Sequence, residues 1–184
     1  MKIEYPKYHY DIVKSLLDGK FILFPGKLYK TTKENIEFYT DFFKRSFDYE
    51  LKVETEYLYL ISKNTDEKTS RDIMTFISIL SYEIDKEGKN FIEELNSSFF
   101  NLERINHYFE NSHSWHEIIK ENKRISNPES RKNLIYNTML KRNIIEKMGD
   151  NFQFTKAHKV FLNFALELIE KAKEEENSHP QQNI

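Results

Sequence analysis

The sequence predicts a mostly α fold with short β hairpins, an α+β chain built from two similar units. Three observations carry that reading. Apolar residues recur at helical spacing through most of the chain. Two short stretches alternate or enrich β-forming residues and read as hairpins. And the order of helices followed by a hairpin occurs twice, ending once near Ile61 and once near Phe154.

The first unit opens with a helix over Tyr8 to Asp18, where Tyr10, Val13, Leu16 and Leu17 share one face. Gly19 stands where a left-handed helix cap forms. Phe21 to Phe24 is a short apolar run, stopped by the turn pair Pro25-Gly26. Thr31 or Thr32, with Glu34, is placed to cap the next helix, whose buried face is aromatic: Ile36, Tyr39, Phe42, Phe43 and Phe47. Tyr49, Leu51 and Val53 then alternate with Glu50, Lys52 and Glu54, and Tyr57 to Ile61 returns after a turn at Thr55-Glu56. Helix, short strand, helix, hairpin is the order of a winged helix.

The polar stretch Asn64 to Ser70 reads as a linker, with Thr69 or Ser70 capping a strong helix that carries Ile73, Phe76, Ile77, Leu80, Tyr82 and Ile84 and ends at Gly88. Shorter segments follow at Phe91 to Leu95, Asn101 to Phe109 and Ile118-Ile119. Asn127-Pro128 announces a helix over Glu129 to Arg142 that buries Leu134, Ile135, Thr138 and Met139. Ile144 to Met148, the turn Gly149-Asp150 and Phe152 to Phe154 make the second hairpin. Thr155 opens a last helix with Val160, Phe161, Phe164, Leu168 and Ile169. The expectation is two tandem winged-helix domains, 1–63 and 70–170, with a disordered tail over 171–184.

Composition narrows the function. The chain of 184 residues has 28 basic and 30 acidic residues, with 15 Phe, 11 Tyr and 1 Trp to build a core, which excludes a disordered charged tail. No stretch approaches the roughly 18 apolar residues of a membrane span. The start carries Lys2, Glu4, Lys7 and His9 and reads as no signal segment. Cys is absent, which removes disulfides, thiolate metal sites and a cysteine nucleophile and leans towards a cytoplasmic protein. With only 4 Gly, a phosphate-binding glycine loop is hard to place. The expectation is a protein without catalysis, cofactor or metal. His113 and His116 lie three residues apart with Glu117 beside them, which is not the metalloprotease spacing, and Trp115 reads as an anchor for that loop.

Residues that carry a resemblance now stand out. Tyr10 to Lys20 followed by Phe21-Ile22 is similar to the opening of MukE and MksE proteins, subunits of bacterial condensin-like complexes. Phe38-Tyr39 to Phe43 and Tyr57 to Leu60 look like that family's aromatic helix and strand pair. Leu140 to Ile145 and Phe152 to Thr155 resemble its second wing. The resemblance spans about Tyr8 to Leu168 and rests on order and spacing rather than on one motif. It implies two winged-helix domains that bind a kleisin of MukF or MksF type and form a homodimer. It also implies assembly with a MukB- or MksB-like ATPase of the structural-maintenance-of-chromosomes class, near the nucleoid. Chromosome organisation and plasmid defence both stay open as the purpose. The acidic run Glu174 to Glu176 is shorter than in some members.

Charge and aromatic residues supply candidate surfaces. Ile118 to Lys147 holds eight basic and three acidic residues, while Asn35 to Glu110 holds nine basic and sixteen acidic ones. Lys123, Arg124, Arg131, Lys132, Lys141, Arg142 and Lys147 are placed to meet the phosphates of double-stranded DNA without reading sequence, or else merely solvate helix faces. Glu50, Glu54, Glu56 and Glu83 could steer a basic partner or simply face solvent. Phe99, Phe100, Tyr57 and Tyr59 are the partner-interface candidates, since aromatic residues are enriched at interfaces. A winged-helix transcription regulator or replication initiator using the same basic helix is the alternative function.

Overall fold

A computed structural model of the chain describes residues 4–62, 68–162 and 166. The fold is mostly α with two small antiparallel sheets, as the periodicity predicts. In the first half, α1 (His9–Leu17) buries Ile12 and Leu16 and ends at Gly19, whose φ of 71° is the left-handed conformation that favours glycine. Then come β1 (Ile22–Leu23), α2 (Lys27–Glu34), α3 (Ile36–Phe47), β2 (Tyr49–Val53) and β3 (Tyr57–Ser62).

Helix α2 is not legible in the sequence. Its segment is polar except for Leu28 and Tyr29, too little to show a periodic face. Thr32 does not cap a following helix. It is fully buried inside α2 and donates its hydroxyl to the Leu28 carbonyl at 2.8 Å. Tyr29 holds α2 in place, because its hydroxyl donates to the carbonyls of Glu54 and Thr55 at the tip of the β2–β3 hairpin, 2.7 and 2.9 Å away. The sheet order is β1-β3-β2, all antiparallel, with Leu51 opposite Leu60 and Ile22 opposite Leu58. Ile12, Leu16, Ile22, Tyr29, Tyr39, Phe43, Leu51 and Leu58 form the core between this sheet and the helices.

The second half is organised by α4 (Lys68–Lys86), whose residues from Phe76 to Ile84 are all buried, the mark of a helix covered on every side. Thr69 and Ser70 therefore lie within this helix rather than before it; residues 64–67 of the expected linker lie outside the described residues. Around it pack α5 (Phe91–Ser97), α6 (Leu102–Glu110), a 3-10 turn at His113–Trp115, α7 (His116–Glu121) and α8 (Pro128–Asn133). Asparagines set three of these starts. Asn90, Asn101 and Asn127 each accept a backbone N–H of the first turn, and Pro128 supplies the preset first position. The helix expected over Glu129 to Arg142 changes pitch. After α8, Leu134–Met139 is a π-helical segment, and the Leu140 N–H reaches the Ile135 carbonyl at 2.9 Å.

Strands β4 (Ile145–Met148) and β5 (Asn151–Phe154) form the second hairpin. Phe100 bridges the other side of β5, exchanging two 2.8 Å backbone hydrogen bonds with Phe152. In both halves the returning strand thus sits in the middle, flanked by its hairpin partner and by a short extended piece from earlier in the chain. Thr155 accepts the Ala157 N–H, as a helix cap should, and residues 159–162 are helical. Phe164, Leu168, Ile169 and the tail 171–184 lie outside the described residues.

The halves are clasped through the backbone at Phe21. The Phe21 N–H donates to the Arg142 carbonyl at 2.9 Å, and the Asn143 side-chain amide donates to the Phe21 carbonyl at 2.8 Å. The Phe21 ring belongs to the second half's core and meets Tyr57, Tyr59 and Phe161. Lys159 pairs with Glu56, whose carboxyl is held below its ordinary range chiefly by that hydrogen bond. Asn143 sits at φ 60°, where asparagine is tolerated and alanine is strained. Asn143→Ala should therefore cost about 1–2 kcal/mol, from strain and the lost bond. Asn143→Gly, which loses only the bond, should cost less. Urea unfolding of both variants checks the order, and equal losses would contradict it.

Candidate partner and nucleic-acid surfaces

The seven basic candidates do not form one surface. Arg131 is a correction to the sequence reading: it is 2% exposed and serves the interior. Its guanidinium donates to Asn106 Oδ1 at 2.7 Å and to the Ile125 carbonyl at 3.0 Å, and reaches Glu110 at 3.3 Å. Sequence misplaces this side chain because a basic residue within a basic run on a helix looks the same on either face. Charged groups are buried only when partners satisfy them, and Arg131 has three.

Lys132 is exposed on α8, one turn before Tyr136, and the Lys147 ammonium from β4 lies 5.6 Å from the centre of the Tyr136 ring. The Lys132 ammonium itself lies 3.7 Å from the Glu129 carboxylate. Lys123 and Lys141 are also exposed. Arg124 is half-exposed and lies 3.7 Å from Asp72, a carboxylate at the start of α4 that also accepts from Asn122 at 3.0 Å.

The aromatic candidates divide as well. Phe100 is fully buried: its backbone is held by Phe152 and its ring is covered by Arg104, 4.5 Å away. Tyr57 is buried too, in the core shared with Phe21. Both are corrections, since neither presents a surface to a partner. Phe99, the neighbour of Phe100 on an extended stretch, points the other way and is 51% exposed. Tyr59 is half-buried, with its ring centre 5.2 Å from that of Phe21.

Among the acids, Glu83 is buried and accepts from Ser112 at 2.5 Å, Glu50 pairs with Lys52, and Glu56 pairs with Lys159. Trp115 is buried edge-on against Tyr82, as a loop anchor.

Tyr59 and Arg142 come together where sequence does not join them. They line a cleft of about 470 Å³ between the halves, with Leu17 and Gly19 from the first and Met74 and Val160 from the second. The Arg142 guanidinium lies flat against the Gly19 turn; a side chain on Gly19 would begin 3.6 Å from it. No spacing rule links residues this far apart. Only the Phe21–Arg142 clasp brings them face to face.

The family model of the condensin complex protein MksE matches residues 7–166. The chain belongs to the MksE family. The match runs through both halves and therefore through both hairpins and the cleft, and it makes the chain a subunit of a condensin complex. No curated protein matches the chain. Among the described residues, no helix of this MksE-family chain is long and apolar enough to cross a membrane.

The packing sets two outcomes. Arg131→Ala should lower stability by about 3 kcal/mol, because Asn106 and the Ile125 carbonyl lose their donor in the interior. Lys132→Ala, one residue away, should stay within about 0.5 kcal/mol. Chemical denaturation separates the two.

His158 gives a pH dependence. It is fully buried, its Nδ1 lies 2.6 Å from the Thr155 carbonyl, and its Nε2 has no partner among the described residues. Burial holds its pKa below the ordinary imidazole value of 6.5. The neutral form is thus favoured in the folded state, while the unfolded chain takes up a proton as pH falls through that value. His158 therefore removes stability on acidification and contributes nothing of this kind above about pH 7.5. His9, half-buried among rings, has its pKa lowered by burial and acts with the same sign. The fall in unfolding free energy between pH 7.5 and 5.5 should be smaller in His158→Gln than in the native chain, and an unchanged fall would contradict the assignment.

Proposed function

We propose that the chain is a non-catalytic accessory subunit of a bacterial condensin-like complex, binding its kleisin and touching DNA without sequence preference. The observation that carries this is the MksE match over residues 7–166, which spans both halves. The repeated topology supports reading each half as a winged-helix domain, divided between β3 and α4. In each, the returning strand lies between its hairpin partner and an earlier extended piece. A kleisin of MukF or MksF type is the direct partner, an ATPase of MukB or MksB type is reached through it, and the free protein is a homodimer. The complex works in the cytoplasm on the nucleoid, or against plasmids.

Lys132, Lys147, Lys141 and Lys123 are the side chains that would meet phosphate. They are exposed: Lys132 on α8, Lys147 on β4, and Lys123 and Lys141 on the turns before α8 and before β4. Such contacts release counterions and position the protein without specifying a sequence. Exposed Phe99 is the aromatic candidate for a partner interface.

The test is the mass of the purified protein in solution, alone and mixed with the kleisin encoded beside it. A dimer that moves into a larger stable complex is expected; a monomer that ignores the kleisin would sink the proposal. For DNA, the Lys132→Gln/Lys147→Gln pair should weaken binding to unrelated duplexes equally. It should also flatten the dependence of log affinity on log salt by about 0.9 per lysine. A loss confined to one duplex sequence would favour the regulator instead.

A further inference from the structure

Arg142 is a charge without a counter-charge among the described residues. Burial lowers its pKa, and among the described residues the charged neighbour that shifts it is Arg124, which pushes the same way. Asp18 is an acid on the cleft wall, yet it makes no ion pair with Arg142 among the described residues. The contrast with Arg131 and Arg104 is sharp. Each of those has a carboxylate within 3.3 Å and further polar partners. A half-buried guanidinium lacking both costs stability in the free protein.

The walls around it are mostly apolar, with Asp18, Ser62, Thr69 and Ser70 as the polar part of the lining. Leu17 and Ile61, 40% and 37% exposed, line it together with Phe21, Tyr59, Met74 and Val160. A volume of about 470 Å³ holds several side chains. The Gly19 turn, with no side chain, leaves one face of the guanidinium against bare backbone. The Phe21–Arg142 and Asn143–Phe21 hydrogen bonds hold the residue's own backbone. The site is therefore a fixed cation at the wall of a mostly apolar cleft.

We propose that this cleft seats a segment of the partner protein, and that Arg142 binds a side-chain carboxylate flanked there by apolar side chains. The inference rests on the kleisin reading above and names where and how the kleisin is held. Charge complementarity selects the occupant. An apolar segment alone would bury the guanidinium more deeply with no counter-charge, and a basic one would add a third positive charge beside Arg124 and Arg142. A carboxylate turns a destabilising group into a charge-assisted pair, and guanidinium geometry suits a two-point contact.

Two readouts separate this role from a structural one. Arg142→Met keeps the stem and removes the uncompensated charge, so the free protein should melt at the same temperature or higher. A structural arginine would melt lower. Calorimetric titration of the full-length chain with the intact kleisin gives the second readout. Arg142→Met and Arg142→Gln should each weaken binding at least tenfold, with Lys30→Gln, on exposed α2 surface, close to native.

A kleisin acid whose change to Lys weakens binding, and which Arg142→Glu restores, would fix the pairing. Arg142→Met and Arg142→Gln variants that bind kleisin as tightly as the native chain overturn the inference and leave the kleisin reading standing. A native chain that binds no kleisin overturns both. A lowered melting temperature in Arg142→Met makes the residue structural and also overturns it.

Discussion

The arrangement of the two halves depends on the backbone clasp between Phe21 and the Arg142–Asn143 pair. Both Phe21 backbone groups are used, its N–H by Arg142 and its carbonyl by the Asn143 amide. That leaves its ring free to enter the second half's core beside Tyr57 and Phe161. Asn143 can make its bond because its backbone adopts φ 60°, and Thr155 in turn donates to the Asn143 carbonyl at 2.6 Å. One left-handed residue thus ties the end of the π-helical segment, the entry to the last helix and the first strand of the other half. The cleft is a consequence: fixing β1 to residue 142 at its base leaves the walls of α1, β3 and α4 apart.

The π-helical segment belongs to the same constraint. A residue gained in a helix rotates the downstream turns by about 100°. Arg131, before the segment, turns inwards to Asn106 and Glu110, whereas Arg142, just after it, faces the cleft. Two arginines eleven positions apart, three turns of an ordinary helix, would share a face. Here one is saturated with partners, and the other has no counter-charge among the described residues. The pitch change offers a physical account of how a single basic stretch serves both interior packing and an open surface.

Much of the fold is legible in the sequence. Aromatic spacing marks α3, the alternation of Tyr49, Leu51 and Val53 marks β2, and Gly149-Asp150 marks the second hairpin turn. The elements that escape lack a local signal. Helix α2 is held by Tyr29 reaching the tip of a hairpin 25 residues away, and the Phe100–Phe152 bridge joins residues 52 apart. The surfaces are legible by composition but not by direction. Charge counts locate the basic stretch, yet cannot show that Arg131 is buried and Lys132 exposed, or that Phe99 faces out and Phe100 in. Exposure of neighbouring residues is decided by packing from distant segments, and periodicity constrains it only where a helix keeps one pitch.

The two halves solve the same packing problem with different economy. In the first, β1 is a strand of two residues and the core is small, drawing on one face of each helix. In the second, a single bridging residue replaces that strand, and α4 is buried on all sides from Phe76 to Ile84 by the helices added around it. The larger second core also takes in Phe21 and Tyr57, so the first half lends side chains to its neighbour. A chain built this way does not treat the halves as independent beads. Phe21 lines the cleft with its ring in the second core and its backbone leading into β1, and Glu56 and Lys159 add a second tie between the halves. The cleft and the contact between the halves thus share one residue, Phe21, where Arg142 and Asn143 hold its backbone.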